Sequence, residues 1–143
     1  MFQLDRRLAS SAVLIGRTAL NQVRLQCDAR YPWIVLIPER PDLKELHQLE
    51  PQDFQTLMGE ALIAGNAVRA AGQALGRPVE KLNLGALGNV VSQLHLHVVG
   101  RRTDDPAWPG PVWGFGDAAP YEAEALDAAT AAVRGVFGPV LRP

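Results

Sequence analysis

Apolar residues first recur along the chain in two short stretches, which predict two antiparallel strands. Residues 13–15 form the first stretch. In the second, Val23 and Leu25 alternate with polar residues, and this period of two is typical of a strand with one buried face. We place the turn that joins the two strands near Asn21.

The most continuous apolar run, from Trp33 to Ile37, predicts a central strand that is buried on both faces. The run is rich in β-branched side chains and is closed by Pro38 and Pro41. It is too short for a stable helix. A short helix is then expected from about Asp42 to Gln48.

A long amphipathic helix follows, and it begins at Pro51 because proline is favoured in the first helical turn. Its apolar positions recur every three or four residues, and the pattern stops before Gly76 and Pro78. These positions are Phe54, Leu57, Met58, Ala61, Leu62, Val68, Ala71 and Leu75. The segment corresponds to about six or seven helical turns.

Two more strands are expected from Val79 to Leu84 and from Leu94 to Arg101, with a glycine-marked bend at residues 85–88 between them. Prolines and glycines between residues 106 and 120 describe a long irregular loop. A helix from about Tyr121 to Phe137 closes the chain. This order of elements predicts an α+β fold, with a five-stranded antiparallel sheet, one long helix and a C-terminal helix.

The composition fits a single domain over residues 1–143, with a core at about 13–113 and a C-terminal helical extension at about 120–138. The 14 basic and 15 acidic side chains nearly balance, so the chain has no excess of positive charge with which to bind the phosphate backbone of a nucleic acid. A small ligand is therefore expected. The longest apolar run falls short of the roughly 18 residues that a membrane span needs. Cys27 has no partner for an intrachain disulfide. We therefore expect a soluble, cytoplasmic protein.

The polar residues of greatest interest lie at the start of the last predicted strand. Since strand side chains alternate, Gln93, His95 and His97 are expected to share one face, about 7 Å apart, with leucine and valine on the other face. Imidazole and amide groups on an apolar strand are costly to bury unless they are hydrogen-bonded or used.

Three interpretations of this row stay open from the residues alone. The row is the ordinary polar face of a half-exposed strand, or His95 and His97 are two ligands of a zinc ion, or one imidazole is a nucleophile whose neighbour positions the substrate. A zinc ion needs at least a third ligand. The candidates for that ligand are His47, which is otherwise expected at the surface, Cys27, Asp104 and Asp105.

The bend before this strand offers groups that bind a phosphate or a sugar. Gly85 and Gly88 let the backbone approach a ligand closely, and Asn83 and Asn89 carry amides that bond to oxygen atoms. The same residues are common in plain turns, so the bend gains weight only because it lies beside the histidines.

Together these residues resemble the signature of the histidine triad family of nucleotide hydrolases and transferases. That signature is His-φ-His-φ-His-φ-φ, where φ is hydrophobic, and residues 93–99 here read Gln-Leu-His-Leu-His-Val-Val. The Asn-Leu-Gly at residues 83–85, the Trp-Pro at 108–109 and the apolar run that ends in Ile-Pro at 37–38 are also similar to the family pattern. The resemblance covers about residues 13–113.

The resemblance implies a phosphorus chemistry that needs no metal and no other cofactor. In that family the middle histidine attacks the α-phosphorus of a nucleotide derivative and forms a covalent nucleotidyl-histidine, and by position this histidine is His95. His97 is implied as a ligand of the phosphate oxygens. For nucleotide binding the resemblance implies Asn83, Gly88 and Asn89, together with Asp28, whose carboxylate is suited to accept bonds from the ribose hydroxyls.

Two residues depart from the family pattern. Gln93 stands at the place of the first catalytic histidine, and it can bind and position a substrate but cannot titrate. Trp33 stands where many members carry a further histidine, and its ring can pack but cannot act as an acid or a base. Neither change touches the expected nucleophile.

We therefore expect a nucleotidyl hydrolase or transferase that acts on a purine mononucleotide derivative. The alternatives are a dinucleoside polyphosphate hydrolase, of the diadenosine tetraphosphate type, and a nucleotide-binding module with little turnover. The expected partners are a small purine nucleotide and a second copy of the chain in a homodimer, with no nucleic acid and no membrane. Arg101 and Arg102 are interpreted as a solvated pair, near enough to attract a polyphosphate.

Overall fold

The computed structural model describes residues 1–143 and has a single five-stranded antiparallel sheet at its centre. The strand order across the sheet is β1-β2-β3-β5-β4. The strands are β1 (Ala12–Arg17), β2 (Asn21–Gln26), β3 (Trp33–Pro38), β4 (Lys81–Gly85) and β5 (Leu96–Arg101). With the helices described below, the predicted α+β architecture is confirmed.

Three α-helices accompany the sheet. They are α1 (Arg6–Ser11), α2 (Pro51–Ala74) and α3 (Ala123–Phe137). The long helix α2 begins at Pro51, as its sequence predicts, and α3 packs against it. None of the helices combines the length and the apolar composition needed to cross a membrane. The short α1 was not predicted, although Asp5 gives its start signal: the Asp5 carboxylate accepts a hydrogen bond from the backbone N–H of Arg7.

The central strand β3 is buried along its whole length, as predicted, because both faces of the sheet are covered. Ile34 and Leu36 belong to a cluster of 19 buried apolar residues between the sheet and the helices α2 and α3. Trp33, Val35 and Ile37 belong to a second cluster of 9 residues on the opposite face, which Leu8 of α1 also joins. This second face carries the histidines.

The short helix expected from Asp42 to Gln48 is wrong, because only a single 3-10 turn forms, at Leu46–Gln48. Asp42 has a φ of 58°, a left-handed conformation that does not continue into a helix. The side-chain oxygen of Gln48 also accepts bonds from the backbone N–H groups of Lys44 and Glu45, both over 2.8 Å. These contacts fold the segment into a compact loop between β3 and α2.

Candidate active site

A cleft of about 360 Å3 lies on the sheet face that carries the histidines. This volume falls within the range of small-molecule pockets, about 300–1,000 Å3. His95 and His97 line the cleft, together with parts of α1, the ends of β2 and β3, the bend after β4, and residues 113–114. The lining side chains include no carboxylate and one guanidinium, that of Arg7. The cleft therefore suits an anionic ligand.

His95 presents a free ring nitrogen to this cleft. Its Nδ1 lies 2.6 Å from the backbone carbonyl oxygen of Gln93. Because a carbonyl oxygen can only accept a hydrogen bond, the imidazole proton is on Nδ1. The lone pair is then on Nε2, which has no hydrogen-bond partner in the protein. His95 thus has the tautomer that a nucleophilic imidazole requires.

His97 lies directly beside His95, with 4.8 Å between the ring centroids. The indole Nε1–H of Trp33 donates a hydrogen bond of 3.0 Å to Nδ1 of His97. Burial of the ring and the neighbouring His95 lower the pKa of His97 from 6.5 to about 3. His97 is therefore a neutral imidazole under ordinary conditions.

Gln93 does not share the face of the two histidines, so the predicted row of three side chains is wrong in this respect. β5 begins only at Leu96, and the side-chain alternation of a strand does not extend back to Gln93. The Gln93 side chain points to the N-terminal segment, where its Nε2 donates to the carbonyl oxygen of Gln3 and its Oε1 accepts from the backbone N–H of Asp5. It lines a separate cleft of about 470 Å3.

The N-terminal segment forms one wall of the histidine cleft, and Gln93 anchors it. Asp5 pairs with Arg7 over 3.0 Å, and the Arg7 guanidinium donates to the carbonyl oxygen of Val90, which lies in the bend after β4 (residues 86–92). Arg7, Leu8 and Val90 all line the cleft. The amide of Gln93 therefore holds the segment that closes the cleft from one side.

We expect Gln93→Ala to loosen this wall, because it removes both hydrogen bonds that the amide makes to Gln3 and Asp5. Amide hydrogen exchange should become faster at Asp5 and in α1, while α2 keeps its protection. Gln93→Glu is the matched variant, since it keeps the acceptor for Asp5 but loses the donor to Gln3. Unchanged exchange at Asp5 in Gln93→Ala would contradict this role.

The bend after β4 offers free backbone donors at the mouth of the cleft. The N–H groups of residues 86–92 make no hydrogen bond within the protein. Gly88 has a φ of 67°, a conformation that glycine adopts without strain. Gly88 and Asn89 both line the cleft. Successive free backbone N–H groups in such a segment can bind an anion.

The structure places Asn83 and Asp28 away from the cleft. The side-chain oxygen of Asn83 accepts a bond of 2.8 Å from the Arg101 guanidinium. Asp28 is buried and pairs with Arg30 over 2.9 Å. Burial would raise the pKa of Asp28, but hydrogen bonds from Arg30 and from the N–H of Ala119 outweigh it and hold the pKa below its ordinary value.

The cleft is also lined by residues that the sequence analysis did not assign to a site, among them Gln26, Ser11 and Trp113. Gln26 closes β2, and its amide has no partner in the protein, so it is free to bond to a ligand. The alternation of residues 22–26 indicated that Gln26 lies on the face opposite Val23 and Leu25. The pairing of β3 with both β2 and β5, which brings that face to the histidines, was not visible in the sequence.

No third ligand joins His95 and His97 in a geometry suited to zinc. No group of three or more histidine, cysteine, aspartate or glutamate side chains converges in the structure. The proposed third ligands lie elsewhere. His47 and Cys27 are exposed, Asp104 pairs with Arg102, and Asp105 pairs with Arg101.

The lowered pKa of His97 predicts a loss of stability in acid. The unfolded chain takes up a proton near pH 6.5, whereas His97 in the folded protein takes it up only near pH 3. The free energy of unfolding therefore falls as the pH decreases through this window, by about 1 kcal/mol per pH unit. Above about pH 6.5, His97 is neutral in both states and does not change the free energy of unfolding with pH.

Urea unfolding between about pH 6 and pH 5 checks this prediction, because aspartates of the unfolded chain, with a pKa of 3.8, are still ionised there. We expect His97→Asn to show a shallower decline than the wild-type protein, since asparagine does not titrate. Parallel declines in the two proteins would exclude His97 as the source.

A family model described as "HIT domain" matches residues 7–104. A histidine triad protein from Sinorhizobium meliloti is 44% identical in sequence, with a TM-score of 0.86 over 94% of this chain and 96% of that one. One from Bradyrhizobium japonicum is 38% identical, with a TM-score of 0.83 over 94% and 96%. One from Marinobacter aquaeolei is 35% identical, with a TM-score of 0.87 over 98% of each chain. No match was found among proteins of curated function.

Proposed function

Because this chain belongs to the HIT domain family, whose members are generally nucleotide hydrolases and transferases, we propose that it cleaves a purine nucleotide derivative at the α-phosphorus through a covalent intermediate on His95. One observation carries the proposal. The bond from Nδ1 of His95 to the carbonyl of Gln93 leaves an unpartnered Nε2 lone pair in a cleft that has no carboxylate.

In the first step, the Nε2 lone pair of His95 forms a bond to the α-phosphorus, and the bond from phosphorus to the leaving group breaks. The leaving group departs with that electron pair and takes its proton from solvent. The ring gains positive charge during attack, and the Gln93 carbonyl stabilises this charge through Nδ1–H. Water then attacks the phosphorus, the nitrogen–phosphorus bond breaks, and the electron pair returns to Nε2. The products are a nucleoside monophosphate and the protonated leaving group.

The cleft offers binding groups for the rest of such a substrate. The free N–H groups of residues 86–92 are suited to the phosphate oxygens, and Asn89 adds a side-chain amide. We assign the sugar hydroxyls to the amide of Gln26, which is free, and not to Asp28, whose carboxylate is occupied by Arg30. Leu8 and Val91 supply apolar surface for a base.

The expected homodimer stays a prediction. HIT proteins commonly form dimers, and two surfaces of this protomer are open to a second copy. The outer edge of β4 is unpaired, with Leu84 48% exposed, and Leu62 on α2 is 75% exposed.

A single-turnover assay tests the proposed reaction. The purified protein is mixed in excess with an adenosine phosphoramidate or with a diadenosine polyphosphate, each with and without EDTA. We expect release of AMP that EDTA does not change, and a transient protein species heavier by one nucleotidyl group in mass spectrometry of quenched samples.

The pattern across the two substrates identifies the leaving group. Faster release from the phosphoramidate indicates an amine, and faster release from the diadenosine compound indicates a dinucleoside polyphosphate hydrolase. If neither substrate reacts while calorimetry shows nucleotide binding, the proposed reaction is wrong and the protein is a binding module.

A further inference from the structure

Trp33 makes the one hydrogen bond that Nδ1 of His97 receives. The indole Nε1–H donates to Nδ1 over 3.0 Å, and both side chains are buried. An indole N–H can donate but cannot accept, so Nδ1 of His97 must hold a lone pair. In a neutral imidazole the proton is then on Nε2. The protein thus determines which nitrogen of His97 faces the ligand as a donor.

We infer that Trp33 is a positioning residue that fixes His97 as the neutral Nε2–H tautomer, so that His97 acts on the phosphate only as a hydrogen-bond donor. The part that concerns the phosphate rests on the proposed function. The part that concerns the tautomer stands on the contact between the two rings alone.

The two histidines are held in opposite tautomers, and this gives them separate tasks. The Gln93 carbonyl places the proton of His95 on Nδ1 and leaves Nε2 as an electron-pair donor. The Trp33 indole does the reverse for His97. One ring can therefore attack phosphorus while the other donates to an oxygen of the same group. If Nε2 of His97 held a lone pair, it would repel the phosphate oxygens.

The surroundings of His97 keep it neutral. A second proton would have to enter at Nδ1, where the indole N–H already points. Burial and the nearby His95 act in the same direction and hold the pKa of His97 near 3. Among the residues that line the cleft, His95 and Arg7 are the only other titratable side chains. No carboxylate faces the ring to favour an imidazolium.

Trp113 provides a matched control. Its ring centroid lies 5.5 Å from that of His97, against 5.6 Å for Trp33, and both contacts are edge-on. The indole Nε1 of Trp113 is buried but has no hydrogen-bond partner. Trp33→Phe and Trp113→Phe therefore remove similar volumes beside His97, and only the first removes a donor to its ring.

Nitrogen-15 NMR of labelled histidine tests the tautomer directly. In the wild-type protein we expect His97 to carry its proton on Nε2 and to show no titration between about pH 8 and pH 5. In Trp33→Phe we expect a mixture of tautomers and a titration that moves up into this range. Trp113→Phe should keep the wild-type tautomer.

Two results would overturn the inference. One is a wild-type His97 with its proton on Nδ1, which needs no variant and so does not depend on whether Trp33→Phe folds. The other is the same tautomer change in both phenylalanine variants, since that would make packing the cause.

Kinetics separate this inference from the proposed reaction. We expect Trp33→Phe to lower the single-turnover rate about 10- to 100-fold, which is the range found when a residue that orients a metal-bound histidine is replaced. KM should change less than kcat, because the donor acts mainly on charge that develops during the reaction. If the wild-type protein shows the Nε2–H tautomer of His97 but turns over no nucleotide, the inferred role of Trp33 in fixing the tautomer stands and the proposed reaction is wrong.

Discussion

Replacing His95 by alanine should abolish the covalent intermediate and lower the single-turnover rate by about four orders of magnitude or more. His95 is the one side chain that offers an unpartnered lone pair beside a neutral imidazole donor in the cleft. Without it, water would have to attack the phosphorus directly, aided only by the groups that bind the phosphate. The rate is measured by quenched flow, and the intermediate by mass spectrometry of the quenched protein.

The third histidine of the chain supplies the control for this experiment. His47 is exposed in the loop before α2 and does not line the cleft, so His47→Ala should react at the wild-type rate. His97→Asn should lie between the two, with a loss of about 100- to 1,000-fold, because the shorter asparagine amide does not reach the position from which Nε2–H of His97 donates, while the nucleophile stays in place. It should still form the intermediate.

A smaller variant at position 95 distinguishes lost chemistry from lost structure. His95→Gly leaves a space of the size of an imidazole, and added imidazole is expected to restore AMP release in proportion to its concentration. An undiminished single-turnover rate in His95→Ala would reject His95 as the nucleophile. Failure of imidazole to restore any activity, in a His95→Gly protein with a wild-type unfolding curve, would argue against attack by nitrogen at this place.

The hydrophobic pattern predicted most of the fold because the burial of each strand and helix is visible in the spacing of its own apolar residues. The run from Trp33 to Pro38 is apolar at every position, and the strand it forms is covered on both faces. Likewise α2 spans Pro51–Ala74, close to the limits that its proline and glycine signals give. The short helix predicted before α2 was wrong because a side chain bonds to the backbone there: Gln48 accepts hydrogen bonds from the N–H groups of Lys44 and Glu45.

The candidate site was less predictable, because its geometry depends on contacts between distant segments. The sequence identified His95 and His97, but alternation along a strand could not show that Gln93 turns away to hold Asp5. The indole of Trp33 was expected only to pack. Its bond to His97 requires the antiparallel register of β3 and β5, in which Trp33 lies opposite Val99, two residues from His97.

The second large effect that we expect concerns stability, and it arises from Arg101. The interpretation of Arg101 and Arg102 as a solvated pair is wrong for Arg101, whose side chain is 1% exposed. Its guanidinium donates to Asp105 from two nitrogens, over 2.7 and 3.0 Å, and also to Asn83 and the carbonyl of Gly110. The Asp105 side chain is 6% exposed. This ion pair joins β5 to β4 and to the loop after β5.

Asp105→Ala should lower the free energy of unfolding by about 3–5 kcal/mol, because it leaves the Arg101 charge buried without its carboxylate. The loss also includes the bonds that Asp105 accepts from the backbone N–H groups of Arg102, Ala107 and Trp108. In the variant these three N–H groups can regain a hydrogen-bond partner only where a water molecule can reach them. Urea unfolding, followed by tryptophan fluorescence, gives the size of the effect.

Asp104→Ala is the control, because the neighbouring carboxylate is 70% exposed and pairs with Arg102 at the surface. Its unfolding midpoint should match that of the wild-type protein, since an exposed ion pair adds little to stability. The double variant Arg101→Met with Asp105→Ala should be more stable than Asp105→Ala alone, because it removes the unpaired charge and fills the space with an apolar chain. Equal losses for Asp104→Ala and Asp105→Ala would show that the buried pair has no special part in holding the loop to the sheet.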